Sequence, residues 1–175
     1  MTPQDTYHLM ATIAFPAAAL WALVQWYQSI RQRREELRWK RAEAAWRLMD
    51  EVFNDPQVAI AFDLVDGETS SIEVPGGGVE PVSAADIATA LDPGNVDGTP
   101  RARAIRDAFN CVLYSLDRLE GAIQSGYVLE EDVDAPTRYY ARLLRGIGPG
   151  MRRYATEVGY DRALTLILRL GRQTG

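Results

Sequence analysis

The amino-acid sequence predicts a mainly α-helical protein: an N-terminal transmembrane helix continuing into a cytoplasmic helical bundle that carries a small β-hairpin. Three observations predict it. Thr6 to Ile30 is a 25-residue run without an acidic or basic side chain. Six Lys or Arg residues occupy the next eleven positions. Beyond them, apolar residues recur at spacings of three and four between turns marked by proline and glycine. The organisation expected is a short external N-terminus and span over residues 1–30, a juxtamembrane helical stalk over 31–54, and a cytoplasmic α-helical domain over 55–175.

The apolar run comes first. As a helix, Leu9 to Tyr27 would cover roughly 28 Å, close to the hydrocarbon thickness of a bilayer. Tyr7 stands at one end and Trp26 and Tyr27 at the other, where amphipathic rings favour the headgroup level. Apolar residues fall on all sides of the helical wheel, which favours a span over an amphipathic surface helix. Asp5 is the sole charged side chain before the run, whereas Arg31, Arg33, Arg34, Arg38, Lys40 and Arg41 follow it, offset by Glu35 and Glu36. The positive-inside rule therefore places the N-terminus outside and the remainder in the cytoplasm, at the plasma membrane. A cleaved signal would carry its positive charge on the other side. Pro16 is expected to kink the helix. Ala14, Ala18 and Ala22 form a small-residue ridge that would let two such helices approach closely.

No helix breaker follows Pro16 until Asp55-Pro56, so one helix is expected to reach the neighbourhood of Phe53. In the stalk, Trp39, Ala42, Trp46, Met49 and Phe53 form a stripe that needs a partner surface, either the domain's own core or a second copy. Asp55-Pro56 caps and opens a short helix that ends at Gly67. Thr69–Val74 and Val79–Val82 are β-favouring runs around Pro75-Gly76-Gly77-Gly78, a hairpin signal. Ser83 with Asp86 resembles a capping box opening a helix to Leu91. Thr99-Pro100 starts the longest soluble helix, with Ile105, Ala108, Phe109, Val112, Leu116, Leu119 and Ile123 inward and Gly126 as its stop. Pro136 is expected to open a helix bearing Tyr139, Tyr140, Leu143 and Leu144. The glycines of Gly146–Gly150 break it, and helices at Met151–Val158 and Arg162–Leu170 follow, the last capped by Asp161.

The order "AFDLVDGE", "IEVP", "IRDAFNCVLYSLDRLEGAIQSGYVLEEDV" and "YYARLL" resembles small bacterial membrane-anchored helical proteins to which no activity is attached. An Arg-to-Lys ratio of eighteen to one fits the GC-rich genome of such a source. The resemblance spans roughly residues 40–145. It implies the same helical fold and supplies no chemistry.

The formal net charge of −5 is unevenly spread. Residues 31–41 carry +4, residues 42–134 carry −14 and residues 135–175 carry +6. Two readings of the basic C-terminal third stand: it faces anionic lipid headgroups, at about 1 kcal/mol per nearby charge, or it pairs with the acidic middle.

Composition excludes several chemistries. The single histidine, His8, lies before the arginine collar, so no cytoplasmic Ser-His-Asp, Cys-His or His-metal arrangement forms within one chain. One cysteine, Cys111, excludes an internal disulfide and reads as a small buried thiol. Gly76-Gly77-Gly78 lacks the Lys-Ser/Thr of a nucleotide loop. Glu130, Glu131, Asp132 and Asp134 read as a solvated cluster at a helix start. No catalytic residue, metal ligand or cofactor is expected, and the basic third lacks the aromatic interleaving of a single-strand nucleic-acid binder.

What remains is a set of surfaces. Trp26, Tyr27, Arg31, Arg33 and Arg34 are expected to flank the membrane. Trp39, Trp46, Phe53, Tyr139 and Tyr140 are the interaction candidates. Gly148, Gly150, Arg152 and Arg153 are the candidate anion site, because backbone amides and guanidiniums share that turn. The function expected is a membrane-anchored cytoplasmic scaffold or accessory protein that self-associates, with lipid and protein as partners. The alternative is a membrane-tethered ligand sensor or enzyme using a metal or a phosphate ligand.

Overall fold

The structure, a computed structural model, describes residues 3–67, 71–94 and 98–172, without the side chains of 3–19. Among the described residues, seven helices and two strands follow one another as α1 (Pro3–Phe53), α2 (Pro56–Asp66), β1 (Ser71–Val74), β2 (Gly78–Pro81), α3 (Ala84–Ala90), α4 (Pro100–Gln124), α5 (Glu130–Gly146), α6 (Pro149–Val158) and α7 (Asp161–Leu170). The chain divides into two compact units, Met1–Arg41 and Ala42–Gly175.

The first unit is the leading part of α1. Most of the expected span, with His8, Pro16, Ala14 and Ala18, falls on side chains outside the described residues. Among the described residues no helix is long and apolar enough to cross a membrane, so the transmembrane part of the expected fold class is not supported there. The described side chains from Leu20 to Tyr27 are all exposed.

The second unit is the expected helical bundle with its hairpin. Asp55 caps α2 by accepting hydrogen bonds from the backbone N–H groups of Gln57 and Val58, and Gly67 ends the helix at φ 77°. That left-handed conformation costs a glycine least. The hairpin pairs Ser71 with Pro81 and Val74 with Gly78. Its turn closes by Gly77 N–H donating to the Val74 carbonyl at 3.0 Å. Pro75 and Gly76, at φ 77°, supply the backbone angles of a type II turn. Two strands alone are marginal, but Ile72 and Val74 are buried and β1 packs on α4. The capping box of α3 forms in both directions between Ser83 and Asp86.

Helix α4 is the axis of the unit and packs against α2, α3, α7 and β1. Thr99 caps it through the N–H of Ala102. Ile105, Ala108, Phe109, Val112, Leu116 and Leu119 are buried as expected, whereas Ile123 is half-buried.

Three local expectations are corrected. Helix α5 begins at Glu130, six residues before Pro136, which lies inside it. The acidic residues Glu130, Glu131 and Asp132 fill its first turn, where the macrodipole favours them. Buried Val128 and Val133 tie that turn to the core, so tertiary packing outweighs the helix-breaking tendency of proline. Asp161 does not cap α7; it is the helix's first residue, and the capping position is Tyr160. The third correction concerns the tryptophans. From Ala42 to Phe53 the buried face is Ala44, Ala45, Met49 and Val52, while Trp46 is 73% exposed. Trp39, in the first unit, is 77% exposed. Neither is core.

Candidate functional site

Three features of the second unit carry concentrated chemistry: an apolar groove, a buried ion-pair seam and an arginine-lined cleft.

The groove holds about 500 Å³ and lies between the end of α1 and the start of α5, lined by Ala42, Trp46, Met49, Phe53 and Pro136. Asp50, Asn54 and Asp132 supply its polar rim. Its floor is firm. Phe53 packs on Phe62 and Tyr140 with centroids 5.9 and 5.5 Å apart, and Phe62 stacks on Tyr140 at 3.8 Å. Buried Thr137 directs its hydroxyl at the Met49 sulfur, 3.8 Å away. The expected interaction residues therefore separate. Phe53 and Tyr140 belong to an aromatic cluster, exposed Trp46 lines the groove, and exposed Tyr139 packs edge-on against Tyr140 at 5.1 Å and donates its hydroxyl to Asp66.

The seam joins α4 to α5 and α7. Glu120 is fully buried, and Arg169 grips both its carboxylate oxygens at 2.9 and 2.6 Å. Gln124 donates to the same carboxylate at 3.0 Å, and Arg169 also reaches Glu130 at 3.0 Å. These carboxylates raise the Arg169 pKa, chiefly through the hydrogen bonds that Glu120 accepts from it, so the guanidinium stays charged. One turn away Arg162 binds Asp117 at 3.0 and 2.7 Å. Sequence reasoning missed Glu120, although a signal existed. It stands four residues after Leu116 and eight after Val112, on the apolar stripe itself, where a carboxylate requires a partner.

The cleft holds about 590 Å³ and is lined by Arg142, Arg145 and Gly146 of α5, Arg152 of α6, and Gly171 and Arg172 after α7. The expected anion site overlaps it only in part. Arg153 turns away to Asp92, 3.5 Å distant. A Cβ on Gly150 would meet the carbonyl oxygens of Ala88 and Leu91 at 3.7 and 3.9 Å, so that glycine is backed by protein. Gly148 precedes α6 at φ 107°, with no side chain capping the helix. Of the four expected residues, Arg152 alone lines the cleft, in the company of three arginines that sequence spacing had not grouped.

The membrane-flank residues fall in the first unit. Trp26 and Tyr27 are exposed, Arg31 pairs with Glu35 at 3.0 Å one turn on, and Arg33 and Arg34 are exposed. Cys111 is half-buried, and burial together with the nearby charges of Asp55 and Asp107 pushes its thiol upward, away from the reactive thiolate. Among the described residues no three His, Cys, Asp or Glu side chains are grouped to hold a metal. Neither a protein-family model, nor a curated protein, nor a solved structure matches this chain.

Proposed function

We propose that this chain is a single-pass membrane-anchored interaction protein, a scaffold or accessory subunit, akin to the small bacterial anchored proteins it resembles. Its N-terminus lies outside and the helical unit lies in the cytoplasm. One observation carries the reading. Leu20, Trp21, Leu23, Val24, Trp26 and Tyr27 are all solvent-exposed on one helix, within a run free of charge from Thr6 to Ile30. An exposed apolar surface of that extent requires lipid or protein to cover it, and the arginine collar that follows favours lipid with a cytoplasmic exit. The test is an alkaline carbonate wash of membranes carrying the full chain, followed by protease treatment of intact cells. The protein stays in the membrane pellet and its bulk survives the protease; release into the wash, or digestion from outside, overturns the proposal.

The groove beside Trp46 supports self-association. An apolar floor with Asp50 and Asp132 on its rim suits a basic helix bearing aromatic or aliphatic anchors. Residues 31–41 of a second copy have that composition, with Leu37 and Trp39 exposed among six basic side chains. Replacing Trp46 with alanine weakens dimerisation about tenfold or more if it anchors the contact. Sedimentation of the full chain in detergent reads the result, and a monomer at every concentration refutes self-association.

A further inference from the structure

The arginine cleft is a binding site in its own right. It stands on the geometry of Ala42–Gly175 and needs no membrane anchor. Elsewhere in the same unit arginines find carboxylates: Arg101 meets Asp86, Arg118 meets Glu51, and Arg162 and Arg169 meet Asp117 and Glu120. Arg142, Arg145, Arg152 and Arg172 converge on one cleft, and none of them pairs with a carboxylate among the described residues. In a chain with 24 acidic against 19 basic residues, four such neighbours are not a consequence of scarce counter-charge.

The cleft is also held in shape. Arg145 donates to the Gly171 carbonyl at 3.0 Å, tying the end of α5 to the end of α7. A Cβ on Gly171 would lie 2.6 Å from the Ile167 carbonyl oxygen and 2.9 Å from that of Ala141. No larger residue fits without moving backbone, so the two helix ends meet at closest approach. A concave surface with fixed walls and several guanidiniums that meet no carboxylate among the described residues is preorganised for an anion.

We propose that this cleft binds a ligand through phosphate, with at least two negative charges. Guanidinium forks match phosphate oxygens in bidentate geometry. One carboxylate would leave most of the positive charge uncompensated, whereas two linked phosphates, or the phosphomonoester of a phosphatidic acid headgroup, answer it more fully. The cleft volume also falls in the range of small-molecule sites.

The test uses the full chain in non-ionic detergent micelles. One arm titrates inorganic pyrophosphate by calorimetry; the other dopes the micelles with phosphatidic acid and follows the thermal midpoint by circular dichroism. Saturable pyrophosphate binding, weakened about a hundredfold in the Arg142→Gln/Arg152→Gln variant, identifies a soluble phosphate ligand, at about tenfold per guanidinium. A midpoint rise confined to phosphatidic acid, and lost in that variant, identifies a lipid headgroup. The control Arg47→Gln/Arg103→Gln removes the same charge from other exposed surfaces and leaves either response in place. Arg152→Gln/Arg172→Gln provides a second cleft variant should the first melt early. No response to either probe, or equal responses from the cleft and control variants, overturns the proposal.

Discussion

Two groups of arginines in the C-terminal third have the same side chain and opposite circumstances. At the α4–α7 seam, Arg162 and Arg169 are met by Asp117, Glu120 and Glu130 from earlier in the chain. At the corner where α5, α6 and α7 end or begin, Arg142, Arg145, Arg152 and Arg172 share a cleft without such partners among the described residues. The net charge of +6 over residues 135–175 therefore conceals a division of labour. Part of it neutralises the acidic middle inside the fold, and part remains available at the surface. Of the two readings offered by composition, pairing with the acidic middle is observed for Arg162 and Arg169.

The seam is where breaking the comparison costs most. Removing one partner of a buried pair leaves the other charge uncompensated in a poor solvent, typically about 3–5 kcal/mol. Arg169→Ala, which strands the fully buried Glu120 carboxylate, is expected to lower stability by about that amount, read from thermal unfolding of the full chain in detergent. The double change Glu120→Leu with Arg169→Met should recover most of the loss, because no orphaned charge remains. Asp117→Ala comes next, at about 1–2 kcal/mol. Its carboxylate holds Arg162 and also accepts the Ala163 N–H at 3.4 Å, standing in for the side-chain cap that α7 lacks.

Acid sharpens the contrast further. Glu51 is held below the usual carboxylate range, first by its hydrogen bonds from Arg118 and then by that residue's charge. A lowered folded-state pKa means the stabilisation is present above the unfolded value of 4.5 and disappears as pH falls through the folded one. Asp86 behaves likewise, lowered chiefly by its hydrogen bonds with Ser83. Stability should therefore decline as pH drops below about 4.5, and Arg118→Gln should flatten that decline. The cleft arginines face no carboxylate among the described residues, so Arg142→Gln should leave the acid slope unchanged.

Where the sequence was legible, local chemistry had one solution. Asp55-Pro56 before α2, Ser83 with Asp86 before α3, Thr99-Pro100 before α4 and Pro75-Gly76 in the hairpin each satisfy specific backbone groups, and each appears where expected. It misled where several faces of one helix were apolar. Between Ala42 and Phe53, hydrophobicity ranks Trp46 first, yet the helix buries Ala44 and Ala45, whose small side chains permit a closer approach of backbones. The arginine cleft was illegible for another reason. Arg142 and Arg172 are thirty positions apart, and their meeting depends on how α5 and α7 pack, which no local periodicity encodes.

The smallest expected effect separates the two groups most sharply. Arg142→Gln/Arg152→Gln removes two positive charges, as many as would be lost from the seam by changing Arg162 and Arg169. Stability should nevertheless change by no more than about 0.5 kcal/mol, because exposed substitutions away from a network rarely do more. The sign should be towards stabilisation, since neighbouring guanidiniums without counter-charge repel one another, and the gain should shrink as salt screens that repulsion. A loss above about 1 kcal/mol would mean that these side chains are bound into the fold after all, and the charge held at the corner would be structural rather than available.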